Sequence, residues 1–181
     1  MAGISLKKYS SPVGNVTIAA ENDAITGLWI ERQRYFCETC RFTTATYKDE
    51  NILDSACNWL DRYFAGDKPS PGELNLKPRG SEFRKAVWNI LRQIPYGETM
   101  TYGEIAQRIS MDYGMEHMSA QAVGGAVGHN PVSIIVPCHR VVGSNGSLTG
   151  YAGGIERKVR LLALEKADMT GLFAPQKGTA L

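Results

Sequence analysis

The sequence predicts an α+β protein: a small N-terminal α/β domain with an antiparallel sheet, joined to a mostly helical C-terminal domain. Three observations carry this. Two β-rich runs, Val16–Ala20 and Ile25–Ile30, flank the turn residues "ENDA", the pattern of a hairpin. "DKPSPGELNLKPRG" packs three prolines and two glycines into fourteen residues, which marks a boundary. Helix-like segments dominate the chain beyond that boundary. The expected divisions are therefore 1–78, 79–170 and a tail, 171–181. A chain of 181 residues, 43% hydrophobic and 21% charged, is long enough for one large or two small globular domains.

Taken in order, the hairpin leads through a Thr-rich segment into "ILDSACNWLDRYFAG". There Ile52, Leu53, Ala56, Trp59, Leu60 and Tyr63 recur at helical spacing, and Gly66 closes the helix. The Pro/Gly stretch reads as connection rather than core. Ser81 is placed to cap the next helix, whose apolar stripe is Phe83, Val87, Trp88, Ile90, Leu91 and Ile94, stopped by "PYGE". Thr101 can cap a short helix to about Ile109, residues 111–118 read as a loop, and a second short helix spans about Ala120 to Gly128. Two short helices joined this way fit a helix-turn-helix, although spacing alone favours an ordinary helical hairpin. Val132–Val136 reads as a short buried strand. "GSNGSLTGYAGG" is a Gly-rich loop without the spacing of a dinucleotide site. The last helix, "IERKVRLLALEKA", turns Leu161, Leu162 and Leu164 inward and ends near Ala167, and the tail "GLFAPQKGTAL" reads as frayed.

Composition excludes some functions. Net charge is +2, with 9 basic against 10 acidic residues in 1–78 and 11 against 8 in 79–181. That permits a polyanionic partner for the second half without demanding one. No apolar stretch approaches a membrane span, and Met1–Tyr9 lacks the apolar core of a secretory signal. A cytoplasmic protein with reduced thiols and no membrane partner is expected. The four cysteines are too few and scattered for a disulfide framework. Cys37 and Cys40 form a lone C-x-x-C with no second pair nearby, so neither a metal nor a redox cofactor is expected.

Two features ask for a chemical reason. The second short helix is built of Ala120, Ala122, Gly124, Gly125, Ala126 and Gly128, although each interior glycine costs about 1 kcal/mol relative to alanine. Close approach of another backbone would explain it, whether a neighbouring helix or a nucleic-acid groove. The other is "IIVPCHRVVG", where Cys138, His139 and Arg140 interrupt an apolar run. Burial of a free cysteine is unremarkable by itself. A thiol becomes a nucleophile only as thiolate, which needs a base or a positive charge nearby. Histidine is a natural base, and a carboxylate such as Glu165 can orient it. Neighbours in an extended chain point to opposite sides, so Cys138 and His139 meet only if the backbone turns or a water bridges them. Cysteine hydrolases usually draw Cys and His from separate positions, so this adjacency counts against one. Arg140 reads as a structural ion-pair donor, Trp88 as core, and His117 and His129 as surface residues.

The stretch "AVGGAVGHNPVSIIVPCHRVVGSNGSLTGYAGGIERKVRLLALE" closely resembles the O6-alkylguanine-DNA alkyltransferases, also called methylated-DNA–protein-cysteine methyltransferases, whose hallmark is the PCHR-V core. The resemblance runs from about Ser81 to Glu165, including "PYGETMTYGEIA", and more loosely to "SPVGNVTIAAENDAITGLW". It implies a monomeric suicide repair protein without cofactor, acting on double-stranded DNA through the minor groove with the damaged base flipped out. The alkyl group of O6-alkylguanine, with O4-alkylthymine a further candidate, would pass irreversibly to Cys138. His139 would be the base acting through a water, Glu165 its partner, Asn130 a link between helix and turn, and Tyr102 the donor to the departing guanine. Ala120, Gln121 and Gly124 would meet DNA, and Tyr151, Ala152, Gly153 and Lys158 would lie along the base pocket and its loop. Gln121 stands where the family commonly has arginine, Ala152 where it often has serine, and "MDYGMEHM" is longer than the family's usual turn. The competing expectations are a module that recognises alkylated bases without transfer, and a cysteine hydrolase.

Overall fold

Asn22 and Asp23 both adopt left-handed backbone conformations, φ 50° and 56°, the two-residue turn that suits the twist of a tight hairpin. They join β2 (Gly14–Glu21) to β3 (Ala24–Ile30), antiparallel, with Val16 opposite Ile30. The computed structural model describes residues 3–39, 46–47 and 51–175. A strand that the sequence did not announce, β1 (Ser5–Ser11), pairs antiparallel with β2, and the short β4 (Thr46–Tyr47) adds in parallel to β1. The sheet order is β3-β2-β1-β4. Helix α1 (Asn51–Ala65) packs across β1, β2 and β3. It buries Leu53, Ala56, Trp59, Leu60 and Tyr63, and each large apolar side chain so buried stabilises by about 1.5–3 kcal/mol. Cys37 is buried with Ile4, Leu6, Ala19 and Trp29; Cys40 lies outside the described residues.

The Pro/Gly stretch is more than a connection. Ser70 and Glu73 form a capping box around a single 3-10 turn. Beyond it Asn75 O accepts from Ile25 N and Lys77 N donates to Ile25 O, both at 2.8 Å, so the segment lines the edge of β3.

The chain divides into two units, Met1–Gly80 with Pro131–Ile135, and Ser81–Asn130 with Val136–Leu181. Within the first, Leu28 N donates to Pro131 O and Ser133 N to Leu28 O, both at 2.8 Å, and Ser133 Oγ donates to Gln33 Oε1 at 3.0 Å. The expected strand Val132–Val136 is therefore corrected. These residues are buried, but only Val132 bridges to Leu28, and the chain then turns with Ile134 at φ 71°, an unusual conformation for a β-branched residue.

The second unit is helical. α2 (Glu82–Leu91) is capped by Ser81 and ends before Ile94, which is still buried. β5 (Met100–Thr101) leads into α3 (Tyr102–Asp112), whose N-terminus is held by the Thr101–Glu104 capping box. α3 runs three residues beyond the expected Ile109. α4 (Ala120–Gly128), capped by Ser119, packs on α2 and α3. The Trp88 indole is buried and donates to Ala126 O at 2.8 Å, as a core residue. β6 (Val141–Val142) pairs in parallel with β5, and α5 (Ile155–Leu164) buries Leu161 and Leu162, with Leu164 half-buried. The first residues of the tail are anchored, not frayed: Leu148 N donates to Phe173 O and Phe173 N to Gly146 O.

Candidate active site

Pro137 leads into one 3-10 turn over Cys138–Arg140, so the two neighbours are not forced to opposite sides as in a strand. Cys138 is 3% exposed. Its Sγ accepts a hydrogen bond from Asn130 Nδ2 at 3.1 Å, and the same nitrogen donates to Val136 O at 2.8 Å. Asn130 lies two residues beyond α4, so one side chain ties the end of that helix to the sulfur.

His139 is completely buried, with Nε2 2.7 Å from Glu165 Oε1. A carboxylate only accepts, so Nε2 carries the proton and Nδ1 is the basic nitrogen. Arg140 grips the same carboxylate with Nε on Oε2 at 2.8 Å and Nη2 on Oε1 at 2.9 Å, while Nη1 donates to Ile94 O at 2.6 Å. Gly97 N adds a bond to Oε2 at 3.1 Å. Gly97 has φ +81°, and a Cβ there would lie 2.8 Å from Glu165 O, so both the turn and the close approach require glycine.

Burial dominates the electrostatics of the turn. It pushes the Cys138 thiol up, against the Asn130 hydrogen bond and the Lys158 charge, so the resting group is a thiol. It pulls His139 down, against Glu165, so the resting imidazole is neutral. Burial also raises Glu165, but the hydrogen bonds and charges of His139 and Arg140 prevail and hold it well below the usual carboxylate range.

The Gly-rich loop is fastened from two sides. Lys158, fully buried, donates to Val141 O and to Thr149 O, the latter at 3.1 Å; burial lowers its ammonium to about 8. Tyr102 Oη donates to the same Thr149 O at 3.1 Å, and burial raises its phenol. The Tyr151 ring stands edge-on to His139, centroids 6.4 Å apart, and lies over Gly153, where a Cβ would be 2.5 Å from it. The Tyr151 hydroxyl is buried with no hydrogen-bond partner among the described residues. Ala152 is half-buried beside it.

A cavity of about 340 Å³ opens between α3, α4 and this loop, lined by Tyr102, Ala120, Gln121, Gly124, Ser144 and Thr149 among others. Four of these were expected from the sequence; Ser144 and Thr149 were not, because Ser and Thr in a Gly-rich loop carry no spacing signal. Ala120 and Gln121 are exposed while Gly124 is buried. Gly125 and Gly128 have open space beyond their own helix backbone where a Cβ would stand, so packing among the described residues does not require them. His117 is exposed, and half-buried His129 holds Gly125 O through Nδ1 at 2.7 Å. Among the described residues no group of three or more His, Cys, Asp or Glu could hold a metal ion, and no helix is long and apolar enough to cross a membrane.

Residues 82–167 match the model of the 6-O-methylguanine DNA methyltransferase DNA-binding domain, and residues 4–78 that of the ribonuclease-like domain of the same name. The methylated-DNA–protein-cysteine methyltransferase of Mycolicibacterium paratuberculosis is 44% identical over 163 residues, covering 90% of this chain and 93% of the relative. That of Methanosarcina acetivorans is 41% identical, covering 87% and 95%. Among solved structures, Mycobacterium tuberculosis OGT in complex with DNA superposes with a TM-score of 0.77 at 41% identity, covering 91% of this chain and 96% of that one.

Proposed function

The chain belongs to the 6-O-methylguanine DNA methyltransferase family, and from that premise we propose that it repairs DNA by moving the alkyl group of O6-alkylguanine onto Cys138, once per molecule. The observation that carries the assignment of the acceptor is the Asn130 Nδ2–Cys138 Sγ hydrogen bond, 3.1 Å. An amide donor aimed at sulfur favours the thiolate and fixes the direction of its lone pairs. Among the described cysteines only Cys138 shares a turn with a histidine–carboxylate pair.

The proton of Cys138 passes through a water to Nδ1 of His139, and the cation formed is stabilised by Glu165. Sulfur attacks the alkyl carbon, an S–C bond forms, the C–O6 bond breaks, and its electron pair returns to the guanine. The guanine takes back, through water, the proton that His139 received, while Tyr102 Oη at the cavity wall donates a hydrogen bond to the departing base. The thioether has no leaving group, so the protein is consumed.

α3 and α4 act as a helix-turn-helix, with α4 entering the minor groove. Its open glycine face lets the backbones approach, and phosphate contacts serve a search that ignores sequence. The damaged base is flipped toward the cavity. From the loop that borders this cavity, though not among its lining residues, the Tyr151 hydroxyl, which has no partner among the described residues at a cost of about 1–3 kcal/mol, would bond the base, with Ala152 and Gly153 beside it. Gln121 fills the space left in the duplex without the charge of an arginine. Lys158 holds the loop and lends its charge to the thiolate. The chemistry falls to 79–170 and support to 1–78, in a cytoplasmic monomer whose thiols stay reduced.

The experiment is incubation with O6-methylguanine duplex and then peptide mass analysis. A gain of one CH2 unit on the peptide holding Cys138 is expected, and Cys138→Ala should bind DNA but gain nothing. An unchanged mass after incubation rejects the reading, and multiple turnover would point instead to a hydrolase.

A further inference from the structure

Glu165 receives four donors: His139 Nε2 and Arg140 Nη2 on Oε1, Arg140 Nε and Gly97 N on Oε2. That is more than orienting one imidazole requires. Arg140 has no freedom to leave, since Nη1 is held by Ile94 O and the guanidinium lies 5.7 Å over the Tyr96 ring. The groups around His139 are Glu165 at the end of α5, Arg140 in its own turn, Lys158 from within α5, the Cys138 thiol, and the edge of Tyr151. Two cations therefore face one anion. A buried carboxylate beside an imidazole, left to itself, draws a proton onto that imidazole. The planar fork of arginine covers both carboxylate oxygens at once, which a lysine cannot do.

We propose that Arg140 is a positioning residue for the transfer: clamped across Glu165, it keeps the Glu165–His139 pair from taking up a proton from solvent, so that the imidazole remains ready for the proton of Cys138. This rests on the function proposed above. Without Arg140 the pair would take up its proton at higher pH, whichever partner then holds it. The base would be spent before the thiol reached it.

The test is an NMR titration of histidine-labelled intact protein beside single-turnover transfer rates on O6-methylguanine duplex across pH. In the native chain His139 should stay neutral, with its proton on Nε2, at pH values below the ordinary midpoint of 6.5. Arg140→Gln should raise the midpoint by about one to three units and carry the acid limb of the rate profile with it, slowing transfer below the limb about tenfold per unit. A merely structural ion pair would lower stability and move neither midpoint. A native His139 titrating at or above 6.5 overturns the proposal, as does a folded Arg140→Gln with both midpoints unmoved. Should that variant not fold, Arg140→Lys, which keeps the charge but cannot cover both carboxylate oxygens, takes its place: a raised midpoint supports the clamp and an unmoved one overturns it. A native chain that gains no alkyl group refutes the function, while the titration still judges Arg140.

Discussion

Replacing Gly125 by alanine separates what α4 needs as a helix from what it needs as a surface. Gly125 lies inside α4, and a Cβ built there meets nothing within 4 Å beyond its own helix backbone among the described residues. The added methyl should cost nothing in packing and should gain the helix propensity difference of about 1 kcal/mol. For a chain of this size that is a rise in melting temperature of about 2–4 °C, read by circular dichroism. If the open face is the one that enters the minor groove, the same methyl meets DNA. Overpacking by one carbon in a close-fitting contact costs about 1–3 kcal/mol, so affinity for duplex DNA should fall about tenfold in fluorescence anisotropy at fixed salt. The expected variant is more stable and binds less well. A drop in melting temperature would refute the open space at Gly125, and unchanged affinity would refute the assignment of this face to DNA.

Four further outcomes are expected. Glu165→Gln removes the anion beneath buried Arg140 and should destabilise the fold by about 3–5 kcal/mol while abolishing transfer, measured by urea unfolding and peptide mass; a stable, active variant would contradict the network. Lys158 has a folded value of about 8 against an ordinary 10.5. The unfolded chain therefore binds more protons between these values, and stability should rise with pH across the window, by up to about 3 kcal/mol relative to Lys158→Met; parallel curves for the two proteins would be inconsistent with a buried ammonium. His139 and Glu165 are both depressed, so acid should destabilise first below about 6.5 through His139 and, below the ordinary carboxylate range, through Glu165. Gly146→Ala combines φ +87° with a Cβ 2.1 Å from Gly171 O, and should release the tail, seen as faster amide exchange at Leu148 and Phe173; unchanged exchange would show that the loop can absorb it.

What could be read from the sequence was what local chemistry encodes. "ENDA" announces its turn because Asn and Asp tolerate the left-handed conformation that both adopt. Ser81, Thr101 and the alternation of α1 state their helices outright. β1 was not visible because "SLKKYSS" alternates exposed polar residues along a half-buried strand. Val132–Val136 looked like a strand because an apolar β-branched run has no period to distinguish a strand from a buried turn. The site divides the same way. Cys138, His139, Asn130 and Glu165 were legible through a motif whose geometry the fold supplies. Arg140 was expected to be an ion-pair donor and is one; what was not legible is that it covers both oxygens of Glu165 and is anchored by Ile94 O, a backbone atom that no side-chain pattern reports.

The indole of Trp88, hydrogen-bonded to the Ala126 carbonyl, supplies the second unit with a built-in optical reporter. The other two tryptophans, Trp29 and Trp59, sit on β3 and α1 of the first unit. A chain carrying phenylalanine at those two positions would keep one tryptophan, excited apart from the tyrosines at the red edge and wired to the backbone of the helix assigned to DNA. Its emission would then record engagement of a duplex by α4 in real time, with no label attached to protein or DNA.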